Sequence, residues 1–458
     1  MSGQDSKKNE TIAIVLAAGE GSRMISDIPK PLHKIAGKSM IGHVLTSLSK
    51  ADIDRIAVVI GPQKPNQNYS MEDEVHLWVE SPAFFTQSRQ LGTANAVLAA
   101  KEILEENPEA DIIIANSDGP LITPETLKRL KSALDSDFAI AVLGFETENP
   151  TGYGRLITDN DVVVDIREEK DANPAEKSIS LCNAGFWAFK RGSALRIIQK
   201  ITNHNIKGEY YLTDSVSIAQ KMGLKTTVVK ADETEVSAVN DREQLAHVEA
   251  LIQQRLRKKF LSQGVTLIAP ESVYFSYDTI IGKDVTIEPD VFLGPNVVIG
   301  DHVTIHAFCH LSDTHLLEYS SVGPFARLRG KAIIEKEAKV GNFVEVKNSI
   351  LGQGVKASHL SYIGDASVGD FSNIGAGTIT CNYDGWKKFR TTIGKNAFIG
   401  SNTSLVAPVK IGEGAYIGSG STITKDVAED ALAIARGRQV TQEGWAAALR
   451  KKRAGQKK

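Results

Sequence analysis

The sequence predicts an α/β domain with a mostly parallel sheet, followed by a parallel β-helix made of hexapeptide repeats. Three observations carry this expectation. In the first third of the chain, short apolar runs alternate with helical patterns, the rhythm of a sheet fed by crossover helices. From Ile281 to Val427 an aliphatic residue, usually followed by glycine, returns about every six residues, as at Ile281-Gly282, Leu293-Gly294, Ile299-Gly300, Val340-Gly341, Ile393-Gly394, Ile399-Gly400, Ile411-Gly412 and Ile417-Gly418. That period suits neither a helix turn nor an alternating strand. It suits one side of a triangular coil, where each stretch is a short strand plus a corner, with the aliphatic residue inward and the glycine easing the turn. At 458 residues, moreover, the chain is too long for one ordinary domain.

Residues 1–10 read as a disordered tail. The run TIAIVLA at 11–17 is a buried strand that opens into a glycine-rich turn. Further apolar strands are expected at 56–60, 111–115 and 138–143, and helices at 40–51 and 93–105. The α/β domain is assigned 11–240. Residues 241–262 have helical periodicity and a basic end at 255–259, and form a connecting helix. The β-helix takes 263–436. Residues 437–458 are a C-terminal tail whose last stretch, 450–458, is almost wholly basic and reads as a solvated, frayed end.

Composition narrows the function. An apolar fraction of 42% allows large cores, and a net charge of −2 gives the chain no general pull toward nucleic acid. The three cysteines, Cys182, Cys309 and Cys381, are few and far apart, which points to a reducing compartment without a disulfide framework. No apolar run has the length of a membrane span, and the first residues are polar, unlike a signal peptide. The expectation is a soluble, cytoplasmic protein with no nucleic-acid or membrane partner. His302, His306, His310 and His315 invite a metal reading, but in a coil of period six they scatter over different faces.

The first strand leads into Leu16-Ala-Ala-Gly-Glu-Gly-Ser-Arg-Met24, and Pro29-Lys30-Pro31-Leu32 follows. Gly19 and Gly21 let backbone N–H groups approach a phosphate or a base, and Arg23 and Lys30 can neutralise a polyphosphate. Alone, such a loop is equally a tight turn with surface cations. Further on stand Gln87-Ser-Arg-Gln-Leu-Gly-Thr-Ala94, Asp118-Gly-Pro-Leu121, Pro150-Thr-Gly-Tyr-Gly-Arg155, Glu168-Glu-Lys-Asp171, Asn183-Ala-Gly185, Gly208-Glu-Tyr-Tyr-Leu-Thr-Asp214 and Val239-Asn240. In order and spacing these resemble the uridylyltransferase half of the bifunctional bacterial N-acetylglucosamine-1-phosphate uridylyltransferase/glucosamine-1-phosphate acetyltransferase family, a likeness that runs over essentially the whole chain after residue 10.

The resemblance implies a Rossmann-like nucleotidyltransferase domain that holds UTP and the sugar with Leu16, Ala17, Gly19, Gly21, Arg23, Lys30, Gln87, Gly92, Thr93, Gly154, Glu168, Asn183 and Asn240. Gln87, Gly92 and Thr93 match the uracil contacts. Gly154, Glu168 and Asn183 match the sugar contacts, and Asp118 and Asn240 the Mg²⁺ ligands. Mg²⁺ suits such a site because it takes few protein oxygens and completes its shell with phosphate and water. The reaction implied is in-line attack of the sugar-1-phosphate oxygen on the α-phosphorus of UTP. That oxygen is already anionic, so positioning and charge neutralisation by Arg23 and Lys30 do most of the catalysis. The chain departs from the family at Asn116-Ser117, where an aromatic and a glycine are usual, and at Ala238, usually glycine.

The second half carries Lys356-Ala-Ser-His-Leu-Ser-Tyr-Ile-Gly364, with His359 and Tyr362, and then Ile374-Gly-Ala-Gly-Thr378. The repeat breaks at Thr380-Cys-Asn-Tyr-Asp-Gly-Trp-Lys-Lys388, an insertion of the kind that carries function in solenoids. A lone histidine is more often structural. Together these motifs resemble the acetyltransferase half of the same family, which implies a left-handed β-helix, a homotrimer and acetyl-coenzyme A bound between neighbouring prisms. Glucosamine-1-phosphate must lose an ammonium proton before it attacks a thioester, and a histidine such as His359 suits a general base near neutrality. Tyr362 could hydrogen-bond substrate or oxyanion, and Arg329 and Lys347 match the phosphate clamp. Asn373, Asn382 and Tyr383 match groups that surround the sugar, the last two on the acetyl-coenzyme A side with Ala376, Ser401, Ser419 and Arg436. Cys381 lies inside the insertion, but direct attack by the amine requires no acyl-enzyme.

The function expected is acetylation of glucosamine-1-phosphate, then uridylylation to UDP-N-acetylglucosamine, a precursor of peptidoglycan and lipopolysaccharide. Two alternatives stand beside it. One is a nucleotidylyltransferase with a structural β-helix, which acetyl transfer would separate. The other is a repeat scaffold, which pyrophosphate release would separate.

Overall fold

The computed structural model describes residues 10–62, 69–159 and 162–455. Of the tail expected at 1–10 only Glu10 falls among them. The chain divides into two compact units, one ending at Arg255 and the other beginning at Leu256, so the division falls inside the 21-residue helix Arg242–Ser262. The Asp241 carboxylate caps that helix, accepting the Gln244 N–H at 2.9 Å.

The first unit is built on a nine-stranded sheet. In spatial order its strands are Ala83–Thr86, Arg55–Ile60, Thr11–Ala17, Asp111–Asn116, Leu181–Phe189, Ile140–Glu146, Thr226–Lys230, Val162–Arg167 and Arg155–Asp159. The first four are mutually parallel. Beyond them, Leu181–Phe189 runs antiparallel to both neighbours, and the last two strands form a hairpin. The sheet is therefore parallel in one half and mixed in the other, not mostly parallel. The reason is local: among the described residues between 155 and 189 the only helix is the four-residue Pro174–Lys177, too short for a crossover, so strands there fold back directly.

Thr11–Ala17 shows why the parallel half reads as unbroken apolar runs. Ile12 and Ile14 enter one core with Val97, Trp187 and Phe189, while Ala13 and Val15 enter the other with Val44, Leu48 and Leu127. Both faces are buried, so no polar alternation is tolerated. The helix at 40–51 is Met40–Lys50, capped by the Ser39 hydroxyl, which accepts the Gly42 N–H. The single helix expected at 93–105 is instead two, Thr93–Ala99 and Lys101–Glu106. Ala100 leaves helical geometry between them, and the bend keeps Val97, Ile103 and Leu104 all in one core.

The second unit is a three-sided coil. Its sheets have ten, eight and eight strands, each strand two to four residues long and parallel to the next coil's. Ile, Leu and Val fill the prism as one cluster, including the aliphatic member of every pair that marks the repeat from Leu293 to Ile417. Along the ten-stranded sheet Thr304 pairs with Ser321, Ser321 with Lys339, Lys339 with Lys356 and Lys356 with Asn373. Asn373 then pairs with Phe398, a longer step that accommodates the insertion. Buried hydroxyls close the corners that follow this sheet: Ser361 donates to His359 O, Thr378 to Gly375 O and Thr403 to Gly400 O.

Two further expectations meet the structure here. His310 and His315 lie on strands of different sheets, and His302 and His306 flank Thr304–Ile305 of the third. His306 pairs with Glu288 at 2.9 Å, and His302 stacks on Tyr319. The basic terminus is not a frayed end over its described part: Trp445–Gly455 is a helix. Residues 456–458 lie outside the described residues.

Candidate active sites

The turn after the first strand organises the first site. Gly21 has φ +62, and a Cβ there would stand 2.6 Å from Lys30 Cβ, so glycine lets the Lys30 stem pass across the turn. Lys30 Nζ donates to Asp118 Oδ2 at 2.6 Å and to Asn240 Oδ1 at 3.0 Å, and Arg23 also donates to Asn240 Oδ1 at 3.0 Å. Four residues from three distant stretches thus meet. Asp118 lies in the turn two residues beyond its strand, which ends at Asn116, and its carbonyl accepts the Val239 N–H at 3.0 Å. One carboxylate and one amide oxygen converge on a single cation, and both are hard donors of the kind a divalent metal takes. Among the described residues no group of three or more His, Cys, Asp or Glu could hold a metal ion.

Gln87, Gly92 and Thr93, the residues expected on the uracil side, cluster around a helix start. Gly92, at φ +112, precedes Thr93–Ala99, and a Cβ on it would stand 2.5 Å from Tyr210 O. The buried Gln87 amide donates to Gly92 O at 3.1 Å and to Asn95 Oδ1 at 2.9 Å, which leaves its oxygen available. Thr93 Oγ1 accepts the Leu212 N–H at 2.9 Å. Leu16 O accepts both the N–H and the hydroxyl of Ser117, so the departure from the usual glycine ties two strand ends together.

Gly154, Glu168 and Asn183, the residues expected on the sugar side, also meet. Asn183 N–H donates to Gly154 O at 2.8 Å, and Glu168 Oε1 lies near Gly154 and accepts from Thr213 at 3.1 Å. Burial raises the Glu168 pKa, against the Thr213 hydrogen bond and the Lys207 charge, which favour the anion. Asn116 packs directly on Gly185: a Cβ there would stand 2.4 Å from Asn116 Nδ2. Behind these stands Arg155, almost fully buried, which pairs with Glu169 at 2.7 Å. Sequence reasoning missed Thr213, Asn95 and Gln244, whose Oε1 accepts the Asn240 N–H at 2.7 Å. Thr213 stands inside the motif at 208–214 without a role assigned to it, and Asn95 and Gln244 lie just past motif residues, so only their hydrogen bonds mark them.

In the second unit, Asn342, His359, Ala376, Ser401 and Ser419 hold equivalent places at one corner of successive coils. The bonds between coils show the stacking: Leu360 N–H to Asn342 O, Gly377 N–H to Leu360 O, Asn402 N–H to Ala376 O and Gly420 N–H to Ser401 O, all 2.7–3.1 Å. Arg436 closes the column, donating to Ser419 O at 2.7 Å. His359 is exposed, and its Nδ1 lies 2.7 Å from Asn342 Oδ1.

Round the corner from His359, Arg329 and Lys347 are paired neighbours on the next sheet, and Tyr362 lies one coil on, opposite Glu345. Glu345 Oε1 receives Arg329 at 2.7 Å. Lys388, from the insertion, stands beside Lys347, and that second ammonium pushes the Lys388 pKa down. Two adjoining ammonium groups near the Glu345-paired guanidinium are the kind of cluster an anion takes. Lys388 ends the insertion quoted above but was given no role, because nothing in the sequence says that it reaches Lys347. Asn382 donates to Asp365 and, at 3.4 Å, to the Tyr362 hydroxyl. Tyr383 is exposed and donates to Gly385 O. Cys381 ends the strand Ile379–Cys381, half-buried. Asn373 is not brought to this group: it lies on the adjacent, ten-stranded face of the prism.

Family models match three stretches: a MobA-like NTP transferase domain at residues 13–175, a GMPPB C-terminal domain at 275–380, and six bacterial transferase hexapeptide repeats at 390–425. The coil is accordingly a left-handed parallel β-helix. The chain is 52% identical to the bifunctional protein GlmU of Azorhizobium caulinodans over 96% of its own length and 97% of that protein's. It is 51% identical to that of Xanthobacter autotrophicus, with 97% of this chain and 98% of the relative covered. With that of a Bradyrhizobium species it shares 53%, over 96% and 97%.

Proposed function

This chain belongs to the family of bifunctional GlmU proteins, and on that premise we propose how its two units divide the work and what each gathered residue does. The protein is a bifunctional transferase. It moves an acetyl group from acetyl-coenzyme A to glucosamine-1-phosphate, then couples N-acetylglucosamine-1-phosphate to UTP with release of pyrophosphate. The observation that carries the acetyl half is the corner column: His359, Ala376, Ser401 and Ser419 share one edge, with Lys347 and Lys388 round the corner. The column itself comes with the coil register, but an exposed histidine on it beside a lysine pair is not something that assembly alone requires. An assay supplied with glucosamine-1-phosphate, acetyl-coenzyme A and UTP tests the whole reading. Pyrophosphate release that depends on acetyl-coenzyme A is expected. Uridylyl transfer without acetyl transfer would leave the structural β-helix.

In the first unit Gln87, Gly92 and Thr93 hold the uracil, and Gly154, Glu168 and Asn183 hold the sugar. Leu16, Ala17, Gly19 and Gly21 line the turn against the nucleotide. Arg23 and Lys30 neutralise the phosphates as charge builds on the leaving pyrophosphate. Asp118 and Asn240 would hold Mg²⁺, which when bound supplies further positive charge at the phosphates. In the second unit Arg329, Lys347 and Lys388 bind the sugar phosphate, and Tyr362 orients the sugar. His359 takes the ammonium proton, so that the free amine attacks the thioester. Ala376, Asn382, Tyr383, Ser401, Ser419 and Arg436 line the acetyl-coenzyme A path.

The two activities are separable, since each unit has its own core. A fragment ending at Leu261 should make UDP-N-acetylglucosamine from N-acetylglucosamine-1-phosphate and UTP, and should not acetylate. A folded fragment without uridylyl transfer would end the modular reading.

The assembly we propose is a homotrimer. Phe308, Phe325, Phe343 and Leu360 form an apolar ridge beside the His359 column, each about half exposed, with successive phenyl rings 4.8 and 5.1 Å apart. A second copy seated there would remove this ridge from water. Phe325→Lys should therefore lower the sedimentation coefficient and cut acetyl transfer while uridylyl transfer continues. An unchanged trimer would place the interface elsewhere. Cytoplasmic residence fits the three free cysteines, and no helix among the described residues is long and apolar enough to cross a membrane.

A further inference from the structure

We propose that Asn342 is a positioning residue for acetyl transfer: its side-chain oxygen holds His359 in the tautomer whose Nε2 is free to take the proton. The strand Lys339–Asn342 pairs with Lys356–His359 in register, Asn342 opposite His359. The Asn342 amide oxygen lies 2.7 Å from His359 Nδ1. An amide oxygen can only accept, so Nδ1 carries the hydrogen and Nε2 keeps its lone pair.

The backbone makes this contact hard to lose. A Cβ on Gly341 would lie 1.9 Å from Ser358 O, so the two corners touch backbone to backbone just before the pair. Just after it, Phe343 and Leu360 both have left-handed φ, at +56 and +48, and the Leu360 N–H donates to Asn342 O at 3.0 Å. The two corners therefore turn in step, and their side chains stack.

The other charged and titratable groups around the corner are Lys339 and Lys356 on the ten-stranded sheet, Glu345 and Tyr362 on the next, and Lys388 from the insertion. Among the described residues none of these hydrogen-bonds the imidazole. Glu345 accepts from Arg329, and the Tyr362 hydroxyl meets Asn382. The amide of Asn342 is the polar group placed to choose between the ring nitrogens.

This inference rests on His359 as the base, and the experiment separates the two. Acetyl transfer by the full-length protein is followed against pH at subsaturating glucosamine-1-phosphate, for wild type, Asn342→Asp, Asn342→Ala and His359→Ala. Asn342→Asp keeps an acceptor at Nδ1 but makes it anionic, which stabilises the imidazolium. The rising, acid-side limb of the profile should move up by about 1 pH unit or more. Asn342→Ala leaves the ring unlocked, and kcat should fall by about 3- to 10-fold, the worth of one ordinary hydrogen bond. Uridylyl transfer should match wild type in both. A merely structural Asn342 would lower the rate without moving the limb. If His359→Ala loses acetyl transfer but the Asn342→Asp limb stays where wild type has it, the tautomer role is overturned and the base survives. If His359→Ala acetylates like wild type, the base assignment itself fails.

Discussion

His359→Ala should lose acetyl transfer by about 10² or more, the usual worth of a positioned general base. Uridylyl transfer should not change, because that chemistry resides in the other compact unit. The substitution removes an exposed ring that belongs to no core, so the coil should keep its fold. Wild-type acetylation at subsaturating amine should rise with pH along a limb that includes the histidine, and the variant should lose that part. The amine also titrates, so both proteins must be compared on the same substrate. A variant that acetylates at near wild-type rate would show His359 to be structural, with another group or water taking the proton.

Asp118→Asn should abolish uridylyl transfer, by about 10³ on the several kcal/mol that metal-assisted charge stabilisation supplies, and should spare acetylation. The replacement keeps size and one oxygen but removes the charge. It also removes the carboxylate that Lys30 meets at 2.6 Å, so part of the loss could come from a displaced lysine. Varying Mg²⁺ distinguishes the causes. A lost metal ligand raises the Mg²⁺ concentration needed for half-maximal rate, whereas a displaced lysine lowers the rate at every concentration. Full activity at sub-millimolar Mg²⁺ would remove Asp118 from the role.

How much of this was legible in the residues varies by kind. The coil was plain, because its period is a direct consequence of three short sides meeting at corners. The first strand was equally plain, since burial on both faces leaves no room for polar residues. The hairpin of Arg155–Asp159 and Val162–Arg167 was not, because its residues mix apolar and charged types without clear alternation. The break at Ala100 carries no glycine or proline to mark it. In the sites, Lys30 and Asp118 stood out as motif residues, but nothing in the sequence says that Lys30 reaches Asp118 and Asn240 together. Asn342 went unnoticed for the same reason that it matters. It lies one coil before His359, so its neighbour in space is far off in sequence. Reading the corner positions as a column, instead of reading along the chain, would have found it.

The regular spacing of that column makes the second unit a measuring device. Each coil advances by the separation of hydrogen-bonded strands, about 4.8 Å. If acetyl-coenzyme A lies along Ala376, Ser401, Ser419 and Arg436 as proposed, it would be graduated against the histidine in fixed steps, its far end held by the last marks on the scale. Inserting or deleting a whole coil between His359 and Arg436 would leave every corner intact and slide the thioester by one division. Reach is thus set by counting repeats, and can change without redesigning any contact.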